Sequence, residues 1–413
     1  MKKIEVFLFV QNNVDRMVKI MRNPFEKKKI LSIFGTRPEA IKMAPLINEF
    51  KKYQEIESFV CVTAQHRQML DQVLNIFKIQ PDFDLNIMKD RQSLMDVTTL
   101  SLDGLDKVIK QVKPDMILVH GDTTTTFAAS LAALYNQVAI GHVEAGLRTN
   151  NKYSPYPEEM NRQLTSIMAD LHFAPTKIAA NNLLKENKLA ETIFITGNTV
   201  IDAQKTTIFK DYHHPLLDEL AGSRLILLTA HRRENLGDTM RSMFKAIRKL
   251  VEKHKDIAVV YPVHLNPSVR KAAQDILGNH SQIRLIEPLN AVDFHNFMAH
   301  SYLILTDSGG IQEEAPSLGI PVLVLRDTTE RPEGLDAGTL KLAGTSEQTI
   351  YQLADELLTD DDAYSKMSNA KNPFGDGEAS RRIAEAILYY FNLREDRPEP
   401  FRMTQENEAK KKH

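Results

Sequence analysis

Cysteine is almost absent from this chain. The single residue, Cys61, lies in the apolar run Phe59-Val60-Cys61-Val62, so an internal disulfide is excluded and a buried structural thiol is expected. No Cys/His pairs stand at zinc-ligand spacing, and no metal site is predicted. No apolar run reaches the ~18 residues that a membrane span requires. No Gly-x-Gly-x-x-Gly follows a predicted strand. The nearest match, Gly375-Asp376-Gly377, lacks its third glycine, which argues against a redox dinucleotide. Excess charge is also lacking. The formal net charge of −2 speaks against a general nucleic-acid or membrane-surface binder. An anionic ligand would have to be drawn by a few local Arg and Lys residues.

What is present is an ordinary soluble composition, 42% hydrophobic and 26% charged, over 413 residues. That length predicts two domains at roughly 100–200 residues each. Residues 1–28 read as an extension that the fold does not need. Their apolar stretch Ile4–Val10 runs into Gln11-Asn12-Asn13 without a cleavage site, a poor signal peptide, so the cytoplasm is expected. From residue 29 short apolar strands alternate with amphipathic helices: Ile30–Phe34, Ser58–Ala64, Met116–Val119 and Val138–Val143. A second series comprises Leu225–Leu228, Ala258–Tyr261, Ile283–Ile286, Leu303–Leu305 and Val322–Leu325. This alternation implies parallel sheets covered on both faces. The expected class is α/β, with two doubly wound Rossmann-like domains facing across a cleft. Their expected limits are 29–204 and 205–376. A helix over 377–394 is expected to pack back on the first domain, and a charged, Pro-containing flexible tail to occupy 395–413.

Ligands of such sheets bind at the carboxyl ends of the strands. The first strand ends in Gly35-Thr36-Arg37-Pro38-Glu39, with Lys42 one helical turn on. Later strand ends supply His120-Gly121-Asp122, then Glu144 within His142-Val143-Glu144-Ala145-Gly146-Leu147-Arg148. Glu158 opens a further helix. Asp122 reads equally as a helix N-cap and Glu158 as a dipole partner, but carboxylates gathered at one sheet edge suit general acid–base work. The second series supplies Thr229-Ala230-His231-Arg232-Arg233-Glu234-Asn235, where a histidine between arginines suits a phosphate. It also supplies Thr306-Asp307-Ser308-Gly309-Gly310, where glycines let backbone N–H groups approach one.

These blocks, from Phe34-Gly35-Thr36-Arg37-Pro38-Glu39-Ala40-Ile41-Lys42 to Asp307-Ser308-Gly309-Gly310, resemble the signature blocks of the bacterial non-hydrolysing UDP-N-acetylglucosamine 2-epimerases. The resemblance runs in order from about Lys29 to about Leu393. It implies the two-domain arrangement of the GT-B glycosyltransferases and interconversion of UDP-N-acetylglucosamine and UDP-N-acetylmannosamine, feeding cell-surface polysaccharide precursors. It implies that Arg37, Lys42, Asp122, Glu144, His231, Phe294, Ser308, Gly309, Gly310, Glu314 and Arg331 contact the nucleotide sugar. Asp122, Glu144, Glu158 and His231 are implied to be catalytic. Gln65, Gln68, Arg91, Arg232 and His264 would hold a second UDP-N-acetylglucosamine as activator. A homodimer is also implied. Since the C2 proton is not beside a carbonyl and no redox cofactor is expected, elimination and re-addition of UDP is the route that remains, and it needs no cofactor. A hydrolysing relative, or a glycosyltransferase using the same nucleotide-sugar grip, is the alternative.

Overall fold

A computed structural model describes residues 27–64, 67–89 and 92–402 of the chain. The expected extension therefore lies almost wholly outside the described residues. The first sheet contains β1 (Lys28–Phe34), β2 (Ile56–Val62), β3 (Phe83–Asp84), β4 (Met116–His120), β5 (Ala139–Val143), β6 (Leu171–Ala174) and β7 (Ile193–Ile195). The second contains β8 (Arg224–Thr229), β9 (Ile257–Pro262), β10 (Ile283–Ile286), β11 (Leu303–Thr306), β12 (Val322–Val324) and β13 (Leu340–Leu342). All their pairings are parallel. Strand order is β3-β2-β1-β4-β5-β6-β7 in one and β10-β9-β8-β11-β12-β13 in the other. The two doubly wound lobes predicted from the alternation are thus present. The strands β3, β6, β7 and β13 were not anticipated. At two to four residues each, they carry too few side chains to display a pattern.

Each sheet is apolar on both faces because helices cover both. Ile30, Phe34, Met116 and Leu118 point into one core of the first sheet, and Leu31, Ile33, Ile117 and Val119 into the other. The period of two along β1 and β4 divides one apolar run between two cores. The second sheet repeats this with Ile226 and Leu228 on one side and Leu225 and Leu227 on the other.

The strand order reverses direction between β1 and β4, and again between β8 and β11. At such a point the loops leaving adjacent strands diverge to opposite faces and open a crevice. The crevices of the two lobes face each other. Helix Thr199–Thr207 belongs to the first core through Ala203, yet it bonds across the cleft: Thr207 Oγ1 lies 2.7 Å from His295 Nδ1, and Gln204 Nε2 donates to the Glu314 carbonyl at 3.0 Å. The expected domain limit at 204/205 falls inside this helix.

The last helix, Ala379–Tyr390, places Ile383, Ala384, Ala386, Ile387 and Leu388 in the core of the first sheet. Of the expected flexible tail, residues 403–413 lie outside the described residues. Residues 395–402 run along β7, where the Phe401 N–H donates to the Ile195 carbonyl at 2.8 Å. Arg397 donates to the Ile193 carbonyl at 2.6 Å and its guanidinium lies 4.1 Å from the Phe194 ring centroid. Edge-strand hydrogen bonds hold this charged segment where composition alone predicts disorder.

Candidate active site

The loop after β1 is held from beneath. A Cβ on Gly35 would sit 2.1 Å from Thr63 Oγ1 and 2.6 Å from Thr125 Oγ1, so only glycine lets the chain turn there. Thr36 then caps helix Arg37–Phe50. The buried Glu39 carboxylate accepts the Gly35 and Thr36 N–H groups at 3.0 and 2.8 Å on one oxygen. On the other it accepts the hydroxyls of Thr123 and Thr126 at 2.7 and 3.2 Å. It thereby ties the loop after β1 to the loop after β4. Burial pushes the Glu39 carboxyl up, against these hydrogen bonds.

After β4 the helix cap is Thr123, whose Oγ1 accepts the Thr126 N–H at 3.1 Å. Asp122 is therefore not the cap. Its carboxylate pairs with Arg162, and its carbonyl accepts from Asn161 Nδ2 at 3.0 Å. Burial raises the Asp122 carboxyl above its usual range. Arg162 opposes the shift, while the nearby Glu144 and Glu158 carboxylates add to it. The charges of Glu144, after β5, and of Glu158, at a helix start, thus both reach Asp122.

Glu144, after β5, has φ 61°. Its carboxylate pairs with Lys42 Nζ and accepts from Asn198 Nδ2 at 3.0 Å, with His120 Nε2 at 3.6 Å. Burial alone would raise it, but Lys42 and His120 hold it well below the usual carboxylate range. Glu158 and Glu159 open helix Glu158–Met168 and have opposite fates. Glu159 accepts the Thr149 and Asn150 N–H groups, each at 3.0 Å. Glu158 Oε2 is buried with no hydrogen-bond partner.

In the second lobe, His231 follows β8 and stacks on His264, ring centroids 5.4 Å apart. Burial lowers the His231 imidazole, with Asp307 pulling the other way. Ser308 caps helix Gly309–Glu314 without a side-chain cap bond, so its hydroxyl is not spent on the helix. A Cβ on Gly309 would meet the Arg331 guanidinium at 3.3 Å, and one on Gly310 would meet Glu314 Oε1 at 3.4 Å. Only at Gly309 is the added Cβ tighter than ordinary contact. Arg331 Nε donates to Glu313 at 2.7 Å, and Glu314 lies 3.4 Å from His295 Nε2.

Between the lobes is a cavity of about 600 Å³, lined by Arg37, Lys42, His231, Phe294, Ser308 and Glu314 among others. Gly310 and His264 also line it, whereas Asp122, Glu144, Glu158, Gly309 and Arg331 do not. Lys42 joins the two groups, since it lines the cavity and pairs with Glu144. Asn198 spans the lobes, donating to Glu144 at 3.0 Å and to Glu313 at 2.6 Å. Of the expected activator contacts, Gln65, Arg91 and the Gln68 side chain lie outside the described residues. Arg232 Nε donates to the Asp307 carbonyl at 2.9 Å and, unlike His264, does not line the cavity. Among the described residues no group of three or more His, Cys, Asp or Glu side chains is placed to hold a metal ion. No described helix is long and apolar enough to cross a membrane.

Sequence reasoning missed Glu39, Asn198, Asp307 and Glu313 as site-shaping residues. Glu39 and Asp307 stand within the quoted blocks, but only Glu39 had a local signal, a carboxylate three residues into the helix after a Thr cap; Asp307 accepts from a loop far away in sequence. Asn198 had only a helix N-cap signature.

The chain matches the family model described as UDP-N-acetylglucosamine 2-epimerase over residues 48–388. It is 66% identical over 376 residues to a UDP-N-acetylglucosamine 2-epimerase of Bacillus subtilis (strain 168), covering 91% of this chain and 99% of the relative. A crystal structure of a UDP-N-acetylglucosamine 2-epimerase superposes with a TM-score of 0.86 at 63% identity, covering 92% of this chain and 100% of the other. That of the Neisseria meningitidis UDP-GlcNAc 2-epimerase bound to UDP-GlcNAc gives 0.80 at 51% identity, covering 87% and 100%. With its two parallel-sheet lobes, its cleft and these matches across most of its length, the chain belongs to the UDP-N-acetylglucosamine 2-epimerase family, a family of isomerases.

Proposed function

We propose that this enzyme interconverts UDP-N-acetylglucosamine and UDP-N-acetylmannosamine without hydrolysis, by elimination and re-addition of UDP. The observation that carries this reading is the convergence of Asp122, Glu144 and Glu158 beside a cleft lined by Arg37, Lys42 and His231. One side offers proton-transfer groups and the other offers cations for a diphosphate.

A carboxylate takes the C2 proton while the C1–O bond to UDP breaks, and its electron pair leaves with the phosphate oxygen. The C1–C2 double bond of the resulting glycal is then protonated at C2 from the other face, and UDP re-forms the bond at C1. Two carboxyls with unlike proton affinity suit the two transfers. Asp122 is pushed up by burial, and Glu144 is held down beside Lys42. Arg37, His231 and the backbone at Ser308–Gly310 meet the leaving diphosphate. Phe294 supplies an apolar face for the base, and Glu314 an acceptor for ribose hydroxyls. Closure of the two lobes keeps UDP and the glycal together.

The test is turnover of UDP-N-acetylglucosamine in deuterated water. Deuterium at C2 of the mannosamine product is expected. Product without it rejects the mechanism, and steady accumulation of free N-acetylmannosamine favours a hydrolysing enzyme.

We further propose a cytoplasmic homodimer that supplies cell-surface polysaccharide precursors. Exposed Tyr135 and Ile167, at the ends of two helices packed together, support the dimer. UDP-N-acetylglucosamine is proposed as activator through Gln65, Gln68, Arg91, Arg232 and His264. A lag from pure UDP-N-acetylmannosamine, removed by added UDP-N-acetylglucosamine, is the expected kinetic sign.

A further inference from the structure

Asp307 is fully buried at the end of β11, and its two oxygens are used differently. Oδ2 accepts the backbone N–H groups of His231 and Arg232, each at 2.9 Å, and Asn235 Nδ2 at 3.2 Å. Oδ1 is buried with no hydrogen-bond partner, and it faces His231 Nδ1 at 3.4 Å. An unpaired buried acceptor costs about 1–3 kcal/mol or more. That cost is avoided when Nδ1 carries the hydrogen and turns it to Oδ1. The neutral ring then leaves the Nε2 lone pair on its other side, on a residue that lines the cavity.

Other groups bear on this ring. His264 stacks on it, and Arg232 and Glu234 flank it on its own loop. Arg37, Lys42 and Glu314 line the same cavity. Burial, opposed by Asp307, keeps the His231 imidazole below its usual range, so it is neutral at neutral pH. A diphosphate adds negative charge on the Nε2 side while Asp307 already stands on the Nδ1 side.

We propose that Asp307 is a positioning residue that fixes the His231 tautomer and lets the ring take one proton from solvent at Nε2 when a diphosphate enters. The Nε2 lone pair forms the new N–H bond, and the imidazolium then lies between two anions. This rests on the nucleotide-sugar reading of the cavity, and it makes His231 a cation only when there is a phosphate to meet.

The test is calorimetric titration with UDP at pH 7.5, in two buffers of different ionisation enthalpy, which reports protons taken up on binding. Wild-type enzyme is expected to take up a substantial fraction of a proton. His231→Gln loses that uptake and reports any contribution of the nucleotide itself. Asp307→Asn keeps an oxygen for the loop N–H groups but turns an amide N–H toward Nδ1. It is expected to lose most of the uptake and to bind UDP about 10-fold more weakly, one unit of lost proton affinity. Uptake equal to wild type in either Asp307→Asn or His231→Gln overturns the proposal. Wild-type enzyme that fails to bind UDP overturns the nucleotide-sugar reading with it, whereas UDP binding without proton uptake overturns this inference alone. Should Asp307→Asn not fold, nitrogen-15 spectra of histidine-labelled wild-type enzyme decide. His231, assigned by its absence from His231→Gln, must carry hydrogen on Nδ1 in the free enzyme and on both nitrogens with UDP. The opposite free tautomer rejects the proposal.

Discussion

Neighbouring carboxylates in this chain have sharply different environments. Glu159 is saturated by loop N–H groups, while Glu158 keeps a buried oxygen unpaired. Asp122 sits between Arg162 and two other carboxylates. Removing its charge-carrying oxygen while keeping its shape isolates its role in proton transfer. Asp122→Asn is expected to lower kcat by about 10²–10⁴-fold, the usual weight of a general acid or base, with little change in the unfolding midpoint. Deuterium exchange at C2 should fall in parallel. Histidines give a second residue-scale prediction. His120, His142 and His172 are buried, and burial lowers them to about 4, about 3 and about 4. In the unfolded chain each titrates near 6.5. Between those values only the unfolded state takes up the proton, so stability is lost as pH falls through 6.5 toward 4. At pH 5 the loss is about 2 kcal/mol for each ring. Guanidinium unfolding at pH 7.5 and 5.0 measures it. The drop should shrink by about 2 kcal/mol in His172→Leu, one ring's share.

At the scale of the element, the strand end is the working unit. The loop after β1 turns at Gly35 because two threonine hydroxyls occupy the space a side chain would need. Gly35→Ala must push the loop away from Thr63 and Thr125, and Arg37 moves with it. We expect kcat/KM to fall at least about 10-fold and stability to fall by about 1–3 kcal/mol, as for overpacked sites. Steady-state kinetics and thermal unfolding check both. These loops were the most legible part of the sequence. Glycine, proline and capping residues punctuate them, and apolar runs on either side fix them as strand ends. The partners of the site residues were not legible. Nothing local tells that Asp307 holds the His231 loop, or that Thr123 rather than Asp122 caps its helix. Those choices are made by backbones that the sheet brings together from distant segments. The short strands β6 and β7 were missed for a related reason, since their place is set by neighbours more than by their own pattern.

At the scale of the whole molecule, Asn198 is one of several polar residues that join the two lobes, and it alone of them bonds to Glu144 among the described residues. Its amide separates the Glu144 and Glu313 carboxylates across the cleft, and its carbonyl caps the next helix by accepting the Val200 N–H at 3.0 Å. Asn198→Ala removes both roles and should raise KM about 10-fold with about 1 kcal/mol of lost stability. Asn198→Asp keeps the cap but sets a third carboxylate between two others. It should be the more active variant if only the cap matters, and the less active if the bridge between lobes matters. We expect the latter, read from kcat/KM of the two proteins side by side.

The last helix of the chain lies in the first core, with Ile383, Ile387 and Leu388 among the side chains of β1 and β4, and residues 397–401 follow the edge of β7. This has a consequence for synthesis. The ribosome releases all seven strands of the first sheet before the piece that closes it, while the second lobe is made in one stretch. The lobe begun first is therefore the lobe finished last. It waits with an apolar face open until that helix has been made, and a proteolytic cut ahead of Ala379 injures the half of the enzyme that was made earliest.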